Sequence, residues 1–132
     1  MSIATAIQMP TTTLPSALAR AILCARTASQ NKASDILVLD MRAITPWFDY
    51  MVISTGTSRR QIHSIAEDTD AALRAVGDRR DGIEGYEASK WIVQDYGDIL
   101  AHVFDPETRD YYKLEELWND APRIDWDQDS GG

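Results

Sequence analysis

The chain has a single cysteine, Cys24, in 132 residues. An internal disulfide and a thiolate metal cluster are therefore excluded, and the flanking Leu23 and Ala25 make this thiol a small packing residue of a helix. Long hydrophobic runs are absent too. None approaches the roughly 20 apolar residues of a membrane-spanning helix, so a membrane protein is not expected. Positive charge is scarce, with 13 Lys and Arg against 21 Asp and Glu and a formal net charge of −8. Nucleic-acid binders draw most of their affinity from cations set against phosphates, which argues against RNA or DNA as the main attachment. A basic protein is the better-matched partner, since opposite charge speeds encounter and orients docking. No positive residue precedes Arg20, which argues against a secretory signal or an Arg-rich transit peptide and leads us to expect a cytoplasmic location.

An apolar fraction of 44% and a charged fraction of 26% suit one globular domain, long enough to bury a core without staples. Residues 1–13 hold three consecutive threonines and no periodic pattern, and read as a flexible arm. The domain spans 14–121, and 122–132 is acidic and patternless, expected to be a disordered tail. Leu14, Ala17, Leu18, Ala21, Ile22 and Ala25 recur at three- and four-residue steps, predicting a helix over about 15–29. The apolar runs Ile36 to Leu39 and Tyr50 to Ile53 predict strands over about 35–41 and 49–55. The link between them is too short for a crossover helix, so they are antiparallel neighbours. A second helix over about 58–76 carries Ile62, Ile65, Ala66, Leu73 and Val76, with Ser58 and Gln61 as its capping box and Gly77 as its stop. Ile83 to Tyr86 is a short edge strand. Asp105-Pro106 opens a terminal helical segment with Tyr111, Leu114 and Trp118 on one side.

Trp91 to Tyr96 and Ile99 to Phe104 are two strand-like runs separated by Gly97-Asp98, a two-residue hairpin signal. In that register Trp91 faces Phe104, Val93 faces His102 and Asp95 faces Leu100. These six share one face of the hairpin, and Ile92, Gln94, Tyr96, Ile99, Ala101 and Val103 share the other. The first face, with Trp91, Asp95 and His102 among apolar neighbours, is either a docking surface or a second core layer.

Chemistry is sparse. Thr57, Ser58, Arg59 and Arg60, at a Gly- and hydroxyl-rich helix start, form a candidate anion site, against the plainer reading as a helix cap. Gly56-Thr57-Ser58 followed by Asp68 and Asp70 is a distant likeness of a nucleotidyltransferase motif. Within a helix those two carboxylates diverge by about 200°, so they read as solvated residues and no metal pair is expected. His63 and His102 lack zinc-ligand spacing and no nucleophile elbow occurs, so neither a catalytic set nor a cofactor is expected.

Several stretches, in order, resemble the Iojap-type ribosomal silencing factors. They are Leu39-Asp40, Asp49 to Ile53 with Ser54 to Ser58, Glu84-Gly85, Trp91, Asp95 to Asp98, His102 to Phe104, Arg109, Tyr112 and Leu114 to Trp118. The resemblance covers about residues 16–121. It implies a single-domain α/β (α+β) fold, a mixed β-sheet flanked by helices that is related to nucleotidyltransferases but lacks their catalytic motif. It also implies a non-enzymatic protein that binds the large ribosomal subunit through ribosomal protein fourteen, sterically blocks association with the small subunit, and lowers translation when nutrients are scarce. Family members are often homodimers. On this resemblance the ribosomal-protein contact is expected on the first hairpin face, at Trp91, Asp95, His102 and Phe104, with Tyr112 and Leu114 beside it. A nucleotidyltransferase-related enzyme and a generic acidic interaction module are the competing classes.

Overall fold

Ser16 accepts a hydrogen bond from the Ala19 amide and starts helix α1 (Ala17–Gln30), whose buried stripe of Ala21, Cys24, Ala25 and Ala28 is made of small residues. A helix with so little bulk on one side can lie close against a sheet. The computed structural model describes residues 13–127. After α1 come β1 (Ser34–Asp40), β2 (Tyr50–Thr55), α2 (Arg59–Ala75), β3 (Gly82–Glu84), β4 (Trp91–Asp95), β5 (Ile99–Phe104), α3 (Pro106–Tyr112) and α4 (Leu114–Leu117). The strands form one five-stranded mixed sheet in the order β1-β2-β5-β4-β3. Only β2 and β5 run parallel, and the other three pairs are antiparallel.

Helices α1 and α2 cover one side of the sheet. Ala21, Cys24, Ala25 and Leu73 pack there with Val38, Val52, Tyr96 and Ile99, and Ile62, Ile65 and Ala66 pack with Ile92 and Val103. On the opposite side Leu39, Met51, Ile53 and Phe104 are covered by Ile44, Phe48, Leu114 and Trp118, which come from loops and from the short terminal helices. One side is therefore roofed by two long helices and the other only in part. The expected strands, helices and hairpin all form, within a few residues of the boundaries read from the sequence.

Three local expectations change. Residues 122–127 do not leave the domain: the Asp40 amide donates to the Pro122 carbonyl, Ile124 to that of Val38, and the Trp126 indole to that of Ile36. The segment lies along the outer edge of β1 through one bridge, Leu39 to Arg123, a pairing too short to leave a period in the sequence. Residues 128–132, like 1–12 of the expected arm, lie outside the described residues. The terminal segment is two helices, broken where Lys113 takes a left-handed conformation (φ 48°), so Leu114 and Trp118 turn inward while Tyr111 is 79% exposed. Third, Gln61 closes the start of α2 by accepting from the Thr57 amide at 2.6 Å, one residue earlier than a standard capping box, while Ser58 accepts from the Gln61 amide as expected.

Candidate functional site

Three contacts fix the hairpin turn. Gly97 sits at φ +88°, a conformation glycine tolerates freely, and its amide donates to Asp95 Oδ1 at 2.8 Å. The Asp98 carboxylate accepts two hydrogen bonds from the buried Arg20, which also binds Asp78, so the turn is bolted to α1. The Asp98 carbonyl accepts from the Asp49 amide at the start of β2. The register that results pairs Trp91 with Phe104, Val93 with His102 and Asp95 with Leu100, as the turn chemistry predicts.

The face opposite α1 and α2 then grades from core to solvent. Phe104 is fully buried and does not present its side chain outward, while Leu114 packs against the same core and stays half-buried. Trp91 is half-buried, stacked at 4.8 Å on Phe104 and at 4.8 Å against Tyr112. Val93 and Leu100 are half-buried, Asp95 is exposed, and Tyr112 is 53% exposed. Leu117 at 68% and Trp47 at 83% are exposed large apolar side chains of the segments that supply Leu114 and Trp118, and Ile44 and Phe48, to the cover of this side. Val93 and Leu100 were visible in the sequence as members of this face. Leu117 was not, because the break at Lys113 that turns it outward leaves no periodic sign.

His102 sits in the middle of this face and is buried. The Trp91 indole donates to His102 Nδ1 at 3.0 Å, and an indole N–H can only donate, so Nδ1 holds the lone pair and Nε2 the proton. Nε2 has no hydrogen-bond partner among the described residues. Burial pushes the imidazole pKa down to about 4, so the ring is neutral at physiological pH.

The loop from Thr57 to Arg60 is organised as a cap. Both the Thr57 amide and its hydroxyl go to Gln61 Oε1, Gln61 Nε2 donates to the Asn31 carbonyl at the end of α1, and Arg59 donates to the Glu87 carbonyl. Arg60 is exposed. With the Thr57 donors and Arg59 engaged, the geometry favours the structural role over an anion site.

Asp68 and Asp70 diverge on α2, as helical spacing requires. Asp68 is exposed and accepts from Asn31, but Asp70 is not solvated as expected: it is buried and accepts from the Tyr96 hydroxyl at 2.9 Å and from Arg74. Burial opposes its ionisation, yet the hydrogen bonds from Arg74 and Tyr96 outweigh it and hold the carboxyl below its ordinary range. His63 stacks on Tyr86 at 4.0 Å and its Nε2 lies 2.9 Å from the Tyr86 carbonyl and 2.6 Å from Ser89 Oγ. A carbonyl can only accept, so Nε2 carries the proton and cannot take one from Ser89. No group of three or more His, Cys, Asp or Glu among the described residues is arranged to hold a metal ion. No helix among them is long and apolar enough to cross a membrane.

Residues 14–131 match the family model described as "Ribosomal silencing factor during starvation", RsfS. The chain belongs to the RsfS family. The ribosomal silencing factor RsfS of Bacillus subtilis is 37% identical over 105 residues, covering 80% of this chain and 89% of that protein. Mouse "Mitochondrial assembly of ribosomal large subunit protein 1" is 36% identical over 92 residues, 67% of this chain and 40% of that one. A crystal structure from Chromobacterium violaceum superposes with a TM-score of 0.77 at 33% identity, covering 80% of this chain and 88% of that chain. Membership of the RsfS family gives the chain a ribosome-associated role in silencing translation. RsfS relatives are named as silencing factors and not as enzymes.

Proposed function

We propose that this protein binds the large ribosomal subunit through ribosomal protein fourteen and, by occupying that surface, keeps the small subunit from joining. The observation that carries the proposal is the hairpin face itself. Between half-buried Trp91, Val93 and Leu100 and exposed Asp95, Tyr112 and Leu117, apolar area and a carboxylate lie together on the side the long helices leave open. An aromatic and aliphatic centre with a charged rim is the composition of a protein–protein contact. Asp95 suits a Lys or Arg of a basic ribosomal protein. Trp91 and His102 hold this face in shape from beneath, and the outer contacts fall to Tyr112, Leu100 and Asp95.

The mechanism is steric and cytoplasmic, with no reaction, metal or cofactor. The protein off the ribosome is a homodimer, joined through exposed apolar surface of which Trp47 is the largest element. Cosedimentation tests the reading: purified large subunits should carry the protein into the pellet and then fail to pair with added small subunits. Leu100→Glu with Tyr112→Ala should abolish both effects while the variant remains folded. Unimpaired subunit joining in the presence of saturating wild-type protein would refute the steric mechanism.

A further inference from the structure

A groove of about 760 Å³ lies on the helix side of the molecule, where α2 runs beside the β3 edge of the sheet. Its apolar lining is Ala71 and Ala75 of α2, both exposed, and half-buried Ile83 of β3. Strand β3 pairs with β4 on one side only, and its outer edge has no strand partner among the described residues. Free edges of this kind are commonly covered by another segment of chain. The charged lining is two of each sign, Glu67 and Asp70 against Arg74 and Arg80. These charges are largely met within the groove: Arg74 donates to Asp70, Arg80 adds its field to the same carboxylate, and Glu67 accepts from the Tyr86 hydroxyl. A charged occupant of either sign gains little from such a balance, whereas an uncharged apolar one meets the alanines and Ile83.

The chain itself contains a segment of that chemistry. Residues 1–12 hold no Asp, Glu, Lys or Arg, and they carry Ile3, Ile7 and Met9. They join the rest of the chain beside the groove. Leu14 lies at the end of α2, its Cδ1 3.9 Å from where a Cβ of Gly77 would stand. Gly77 in turn lines a hollow of about 530 Å³ that shares Asp70, Arg74 and Arg80 with the groove, so the two are continuous. From Gly77 to Glu67 is about 15 Å at the helical rise, a distance that about five extended residues cover. The other end of the described chain is at the opposite edge of the sheet, where the Trp126 indole reaches the Ile36 carbonyl of β1.

We propose that the occupant of this groove is the chain's own segment 1–12, turned back over Gly77 and laid along the open edge of β3. Ile3 and Ile7, four residues apart, fall on one face of an extended chain and rest on Ala71, Ala75 and Ile83. Main-chain hydrogen bonds to the edge give the segment its register, and burial of the two isoleucines supplies its affinity. The edge is then closed to strands of other molecules.

The test is a nitroxide label attached to the isotope-labelled full chain at Thr5→Cys, Cys24 being buried and left unlabelled. Amide signals of Ala71, Ala75 and Ile83 should lose intensity while the label is paramagnetic, and that of Leu117, in α4 across the sheet, should be the less affected. Adding Ile7→Asp, which alters no residue of the folded domain, should restore those signals. Ala71→Glu, at an exposed position of α2, should restore them too, with the melting temperature kept. No loss at these amides, or an equal loss in both variants, would overturn the proposal. So would a loss that appears only in isotope-labelled protein without nitroxide mixed with nitroxide-bearing protein, since the groove would then be filled from a second copy.

Discussion

Protonating His102 would set two N–H donors against each other at Nδ1, where the Trp91 indole already points, and would place a charge in a buried site. The native state therefore holds the ring neutral, with its pKa down to about 4 against roughly 6.5 in an unfolded chain. Below about pH 6.5 the unfolded chain takes up a proton that the native state refuses. Stability is full above that pH and falls until about pH 4. Between pH 7 and 5 the loss from this residue is about 2 kcal/mol. Urea midpoints of the wild type and His102→Leu at both pH values check it: the variant is weaker at pH 7 but lacks that increment of pH dependence, and equal slopes would contradict the assignment. Trp91→Phe keeps the ring stack on Phe104 and Tyr112 but deletes the donor, and urea unfolding should show a loss of about 1–2 kcal/mol. The Trp91–His102 contact was legible, since it joins diagonal neighbours of the hairpin register. The bond from Tyr96 to Asp70 was not, because the sequence gives the face of each element and not the reach of a side chain between elements.

Elements here are held together by a few contacts between distant parts of the chain. Gly85, at φ +82° between β3 and β4, has no room for a side chain, because an added Cβ would lie 2.0 Å from the Trp91 carbonyl oxygen. Gly85→Ala therefore forces the β3–β4 connection apart, and we expect a loss of more than about 3 kcal/mol, read as a lowered urea midpoint. Arg20 plays the corresponding part for α1, donating to the Pro15 carbonyl, Asp78 and Asp98 from a buried position. Arg20→Ala leaves the buried Asp78 without that cation and should cost about 3 kcal/mol by the same measurement. Helix periods, the Ser58 cap of α2 and the hairpin turn could be read from the sequence, since each is a local rule of spacing or turn chemistry, whereas the Ser16 cap of α1 was not read. The docking of residues 122–127 on β1 and the burial of Arg20 and Arg109 could not be read. Arg109 reaches the Asp35 carbonyl and Thr55 Oγ1, and such long-range partners leave no local pattern.

At the scale of the whole molecule, the net charge of −8 and the single exposed carboxylate of the hairpin face make different contributions to docking. The overall charge repels ribosomal RNA and is drawn to basic protein, so it acts at long range and is screened by salt. Under the proposed mode of binding, Asp95 acts at contact. One of its oxygens already accepts from the Gly97 amide, so a lysine at this position would both reverse the charge and loosen the turn. Asp95→Asn keeps an oxygen for that bond and removes only the charge, which makes it the cleaner probe. Under the proposed mode of binding, association of Asp95→Asn with large subunits should be severalfold slower than that of the wild type at low salt. The two rates should converge near 1 M salt, where the Debye length shrinks to about 3 Å. Stopped-flow mixing with labelled large subunits measures both rates. Identical rates at low salt would place the electrostatic contact on another face, whereas a difference that persisted at high salt would mean that Asn had disturbed the hairpin turn.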